Sequence, residues 1–288
     1  MCTGHSSPTS TALPVALVTG ASSGLGWLFA ERLAAAGYDV VLSARRVDRL
    51  EELAAQITKR FHVRAYPIAC DLGAVDGASM LVKEIHARGL HVSYLVNNAG
   101  VTVEGDFLDH SWDEQRACTQ LMALTPAELI HLLLPDMIER GEGRVLNVGS
   151  VGAYWPSFPG MTLYGPSKSY LLKLTRTLAL EYRDSGVRFS VVCPFLTQTA
   201  FLDGPITRQI VAQVPRGIIA DPADVVDQAL SAVKAGRVVQ HTSLLNRVLV
   251  LALTLVPPAL IDRVILRFMS LADKPTKPNL PTRREVSR

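Results

Sequence analysis

From Val15 onward the chain repeats one pattern, an apolar run, a turn and an amphipathic segment, at intervals of about 25 residues. The runs are Val15–Val18, Tyr38–Ser43, Val63–Cys70, Val92–Val96, Arg144–Val148, Val187–Cys193 and a short Arg237–His241. Most are apolar without alternation, as in strands of a parallel sheet covered by helices on both faces. Helical periodicity fills the gaps at Trp27–Ala36, Val47–Arg60, Gly77–Arg88, Trp112–Glu139 and Leu163–Tyr182. A last helix runs to Ala235, with Asp221 as its cap and Pro222 at its first position. Within the long Trp112–Glu139 segment, Pro126 is expected to bend or interrupt the helix. Right-handed crossovers wind such a sheet doubly and place its ligand crevice at the C-terminal strand ends. The expected fold is therefore α/β, a single doubly wound domain with a mostly parallel central sheet.

With 288 residues, 48% of them apolar and 19% charged, the chain can bury one large core. Its net charge of +3 is thinly spread, and Arg45-Arg46 and Arg283-Arg284 are too short and too separated for a nucleic-acid surface. The cysteines Cys2, Cys70, Cys118 and Cys193 have no paired spacing, so reduced thiols, an intracellular setting and no metal site are expected. The N-terminus lacks a secretory signal pattern, which agrees with a cytoplasmic location. Leu244 to Leu271 is strongly apolar but broken by Pro257-Pro258, too short between breaks to span a bilayer. Two helices covering the substrate cleft or a subunit interface are expected there. Peripheral contact with a membrane surface is the other reading, with Arg247, Arg263 and Arg267 toward the headgroups.

The first strand-to-helix turn carries Gly20-x3-Gly24-x-Gly26. Glycines there permit tight backbone geometry and close approach of a diphosphate to the N–H groups of the helix start. The dinucleotide is accordingly expected against Gly20, Ser22, Ser23, Gly24, Leu25 and Gly26. At the end of the second run stand Ser43-Ala44-Arg45-Arg46, where a carboxylate would instead select an unphosphorylated ribose. Arg45, helped by Ser43 or Arg46, suits a 2′-phosphate, so NADPH/NADP+ is expected over NADH. Asp71, followed by Leu72, is expected at the adenine edge, and Asn98-Ala99-Gly100 beside the adenosine ribose.

Ser150 follows the central run, and Tyr164 and Lys168 lie four apart on one helix face. A phenol titrates near 10, and a neighbouring ammonium is expected to lower it toward neutrality. In carbonyl reduction Tyr164 would supply the proton while Ser150 holds the developing oxyanion and Lys168 the nicotinamide ribose. The pocket rim is expected to include Tyr154, Trp155, Phe158 and the stretch Phe201 to Val214, which favours an apolar substrate.

Taken together, TGASSGLG at Thr19–Gly26, CDL at Cys70–Leu72, NNAG at Asn97–Gly100, Ser150, and YGPSK at Tyr164–Lys168 closely resemble the short-chain dehydrogenase/reductase family. The likeness covers about Pro14 to Ala235. It implies a Rossmann-type catalytic domain, here residues 14–243, to which composition adds disordered tails at 1–13 and 273–288 and an apolar helical extension at 244–272. It further implies a homodimer or homotetramer, interconversion of ketones and alcohols, and catalysis by Ser150, Tyr164 and Lys168. The family's water-holding asparagine falls on Gln120, and its Pro-Gly after the sixth strand becomes Pro194-Phe195, with Thr197 or Thr199 expected at the carboxamide. These two departures keep open a noncatalytic NADP(H)-binding or regulatory subunit, alongside a related isomerase or dehydratase. The leading expectation is NADPH-dependent reduction of a hydrophobic ketone.

Overall fold

The computed structural model describes residues 13–271. Strands and helices run β1 (Val15–Thr19), α1 (Gly24–Ala35), β2 (Asp39–Ala44), α2 (Val47–Phe61), β3 (Ala65–Ala69), α3 (Gly77–Ala87) and β4 (Val92–Asn97). They continue with α4 (Trp112–Thr119), α5 (Thr125–Glu139), β5 (Gly143–Val148), α6 (Tyr164–Glu181), β6 (Val187–Cys193), α7 (Pro205–Gln213), α8 (Pro222–Lys234), β7 (Val239–His241), α9 (Leu244–Leu255) and α10 (Pro258–Leu271). These strands form one seven-stranded sheet in the order β3-β2-β1-β4-β5-β6-β7, and every neighbouring pair is parallel. The two terminal tails expected to be disordered fall outside the described residues, apart from Leu13.

Alternate residues of each strand feed two cores. Ala16 and Val18 of β1 pack with Phe29, Leu33, Leu50, Leu53 and Val225 from α1, α2 and α8. Val15 and Leu17 point the other way, toward Leu81, Ile85, Leu129 and Leu133 from α3 and α5. All five residues of β1 are buried, which is why its sequence shows no polar alternation. Each large side chain so enclosed contributes roughly 1.5–3 kcal/mol.

Element boundaries move by one to three residues from the sequence expectation. The clearest case is α1, which starts at Gly24 rather than Trp27, because Ser23 in extended geometry ends the turn and the two glycines enter the first helical turn. The long helical segment is interrupted, as expected, but ahead of Pro126 rather than at it. A π-turn spans Gln120–Leu124, and Pro126 sits in the first turn of α5, where its missing N–H is tolerated. Asp221 caps α8 by accepting from the Ala223 N–H at 2.7 Å.

Candidate active site

The chain winds outward from β1 to β3, then returns to the other side of β1 at β4. That reversal opens a crevice beyond the carboxyl ends of β1 and β4, where doubly wound sheets bind ligands. A cleft of about 1180 Å³ occupies it.

The two loops bounding this crevice are stitched together. Thr19 Oγ1 accepts from the backbone N–H groups of Asn98 and Ala99, at 3.0 and 3.1 Å. In return the Asn98 amide donates to the Thr19 carbonyl at 2.9 Å. Glycine is required beside that amide. A Cβ on Gly26 would stand 2.6 Å from Asn98 Nδ2 and closer still to the Gly20 carbonyl, and Gly20 has φ +67. Gly26 itself does not line the cleft, so its role is to let the turn and Asn98 pack. The cleft wall at this end comprises Gly20, Ser22, Ser23, Gly24 and Leu25, then Asn98, Ala99 and Gly100.

At the end of β2 the arginines divide the work. Arg46 donates to both Ser22 Oγ and Ser23 Oγ at 3.0 Å, which anchors its guanidinium across the glycine turn. Arg45 is exposed at the cleft with no hydrogen bond or ion pair among the described residues. Ser43, expected to assist them, is instead buried, and its hydroxyl has no partner among the described residues; strand alternation turns it into the protein. Asp71 and Leu72 line the same end, with Asp71 Oδ1 accepting from the Gly73 N–H at 3.0 Å.

Helix α6 carries the phenol and the ammonium, and buried polar groups set its position on the sheet. Asn97 donates to Asn147 at 2.9 Å, and Asn147 donates to Thr175 of α6 at 2.8 Å. Four residues apart, Tyr164 and Lys168 both face the cleft. Lys168 is buried and donates through Nζ to the Val148 carbonyl at the end of β5, at 2.8 Å. Ser150, also buried, accepts from the Gly152 N–H at 3.0 Å and shares a hydrogen bond with Tyr164. The Phe201 ring packs on Tyr164 with centroids 5.5 Å apart.

The direction of the phenol's shift corrects the sequence expectation. Burial pushes Tyr164 up to about 12, partly offset by its hydrogen bond with Ser150. Lys168 does not reverse this. Its nitrogen stands 5.8 Å from the ring centroid and is committed to a carbonyl. Burial in turn pulls Lys168 down to about 8. Activity that depends on this ammonium should therefore decline as pH rises through about 8. A kcat/KM profile from about pH 6 to about pH 10 checks this, and a flat alkaline limb would contradict it.

Gln120 is not brought to the site. It opens the π-turn, is buried, and its amide donates to Thr125 Oγ1 at 3.4 Å rather than lining the cleft. The π-turn shifts which helix face meets the cleft, so Ala117, Cys118 and Leu121 are presented instead. Tyr154 also turns away and packs against His241, with ring centroids 5.5 Å apart. Trp155, Phe158, Phe201, Leu202, Ile210 and Val214 do line the cleft, together with Pro194, Phe195 and Thr199.

One feature had escaped the sequence reading. Glu104, on the loop after β4, caps α7: its Oε2 accepts from the Ile206 N–H at 2.6 Å and its Oε1 from Thr207 Oγ1 at 2.9 Å. An isolated glutamate about 100 residues from the helix it caps leaves no local signature. Val264 and Ile265 of α10 reach the cleft wall, in line with the expectation that the apolar C-terminal helices cover the cleft.

The residues fit a dinucleotide. The glycine turn leaves open backbone at a helix start, and arginines replace a carboxylate at the β2 end. Thr197 Oγ1 is buried in the cleft wall without a partner among the described residues.

The comparisons agree with this geometry. The family model described as "short chain dehydrogenase" matches residues 14–208, and the chain belongs to the short-chain dehydrogenase/reductase family. It is similar to sulfoacetaldehyde reductase 2 of Chromohalobacter salexigens, 33% identical over 195 residues, 65% of this chain and 74% of that protein. It is also similar to very-long-chain 3-oxoacyl-CoA reductase-B of Danio rerio, 32% identical over 64% of this chain, and spans 60% of that protein's length. Among solved structures, a short-chain dehydrogenase from Sphingobium yanoikuyae in complex with NADPH superposes with a TM-score of 0.72 at 28% identity, covering 94% of this chain and 99% of that one. The chain is thus an oxidoreductase of this family with a nicotinamide-cofactor fold.

Proposed function

We propose that the protein is an NADPH-dependent reductase of a hydrophobic ketone, with Tyr164 as proton donor. The observation that carries this reading is the convergence of Ser150, Tyr164 and Lys168 on one apolar cleft. A phenol held at about 12 keeps its proton at neutral pH, which is the form a reduction consumes. The reduced nicotinamide, when bound, supplies hydride to the carbonyl carbon. Ser150 and the Tyr164 hydroxyl hold the carbonyl oxygen, and Tyr164 passes its proton to that oxygen as the alcohol forms. Lys168 holds the cofactor ribose and keeps a positive charge beside the phenol ring. Gln120 takes no part, since its amide is engaged away from the cleft.

The preference for NADPH rests on Arg45 and Arg46 at the end of β2, and the NADPH complex of the Sphingobium protein supports it. A charge-assisted hydrogen bond is worth about 1.5–3 kcal/mol. Replacing Arg45 and Arg46 together by alanine is expected to raise Kd for NADPH about 10- to 100-fold while leaving NADH nearly unchanged. Titrating both cofactors by fluorescence reads this directly. Equal losses for the two would remove the phosphate assignment.

Trp155, Phe158 and Phe201 support an apolar substrate body, and a relative named for very-long-chain 3-oxoacyl reduction is consistent with one. Self-assembly into a homodimer or homotetramer accompanies this proposal, read by light scattering on the purified chain. The test of function is NADPH consumption across a panel of long-chain 3-oxoacyl, steroid-like and polyketide-like ketones. Turnover with at least one apolar ketone is expected. Tight NADPH binding without turnover on any of them would favour the noncatalytic regulatory reading, which the aromatic Phe195 in the cleft wall keeps in view.

A further inference from the structure

Beyond the catalytic body, α9 and α10 form a bent pair of 12 and 14 residues, with 120° between their axes at the Pro257-Pro258 break. Each helix is shorter than the roughly 20 residues needed to cross a bilayer. Their inner faces are used: Asn246 and Val250 of α9 are buried, as are Ile261 and Ile265 of α10. The outer face of α9 is apolar. Leu244, Val248, Leu251 and Leu255 recur on one side at helical spacing, and the first and last are 75% and 73% exposed. On α10, Leu260, Val264 and Leu266 are exposed as well.

The charges around this face are mainly positive. From residue 244 to 267 the cations are Arg247, Arg263 and Arg267, and the only carboxylate is Asp262. Asp262 is already engaged, accepting from Ser157 Oγ at 2.5 Å. Arg247 lies beside the exposed apolar residues of α9, and Arg263 is on the outward side of α10. An isologous contact between two copies would lay this net-positive patch against its own copy and so gather like charge at the interface. An anionic lipid surface instead accepts the apolar side chains among its acyl chains and the guanidinium groups among its headgroups. The apolar face is also continuous with the cleft, because Val264 is 68% exposed and at the same time lines the cleft wall.

We propose that the α9–α10 pair seats the protein on an anionic lipid surface, with the mouth of the cleft turned to the bilayer so that an apolar substrate enters from it. The seating rests on the helices alone, whereas the route of entry rests on the hydrophobic-ketone reading above.

The test uses the full chain with vesicles of phosphatidylcholine, with and without phosphatidylglycerol, in a flotation assay. Binding to the anionic vesicles is expected, falling with added salt. Val248→Glu combined with Leu251→Glu should abolish flotation, and Arg247→Gln with Arg263→Gln should weaken it about tenfold. Neither pair lines the cleft, so NADPH affinity should be unchanged and shows that the variants fold. Absence of flotation with the anionic vesicles overturns the proposal. So does a wild-type oligomer that the Val248/Leu251 variant splits, since the face would then be a subunit interface. Flotation is read without turnover, so it stands or falls separately from the reductase reading. For the route of entry, a long-chain ketone presented in anionic vesicles should be reduced at least about tenfold more slowly by the Val248/Leu251 variant, with a short soluble ketone unaffected. Equal rates on both would overturn the entry route.

Discussion

Tyr164→Phe is expected to lower kcat for ketone reduction by about a thousandfold, the loss of a positioned proton donor and one oxyanion contact together. The substitution removes only the hydroxyl. Phenylalanine keeps the ring that packs on Phe201 and overlies Lys168, so the fold and the cofactor end should be undisturbed. NADPH affinity should therefore stay within about twofold of wild type, because lost chemistry and lost binding are different terms. Stopped-flow single turnovers, with Kd measured in parallel, separate the two. A variant that retained its single-turnover rate would remove Tyr164 from the mechanism.

A second large effect is expected at Gly26→Ala. The new methyl group would press on the Gly20 carbonyl and stand 2.6 Å from the Asn98 amide nitrogen, and neither is the free end of a flexible chain. Relief requires the glycine turn to move away from the β4 loop, breaking the Asn98–Thr19 bonds that join the two sides of the crevice. Overpacking of this kind costs about 1–3 kcal/mol of stability. Because the turn is also the phosphate cradle in the proposed reading, NADPH affinity should fall at least about a hundredfold. Thermal denaturation and cofactor titration measure the two losses, and a variant with wild-type affinity would show that the turn tolerates displacement.

Features that depend on short sequence spacing are legible in the sequence itself. The parallel sheet follows from apolar runs with helices between them, and the shared face of Tyr164 and Lys168 follows from their separation by four residues. Features decided by neighbours distant in sequence are not. Gln120 has an amide of suitable chemistry, but the π-turn starting at that residue rotates it out of the cleft. The phenol was expected to be made acidic by its ammonium, and the enclosure of both groups wins instead. Tyr154 belongs to the aromatic loop by sequence yet is drawn to His241 on the far edge of the sheet. Glu104 reaches across to α7 from a loop with no pattern of its own.

The carboxylate of Glu104 ties the loop that follows β4 to the start of α7, so two walls of the cleft are held to one another. Refitting this chamber for a wider molecule is then a joint problem. Enlarging α7 by exchanging its side chains leaves the opposite loop pulling it back to the same position. A chimera must carry both segments, with the glutamate between them, to inherit the donor's selectivity.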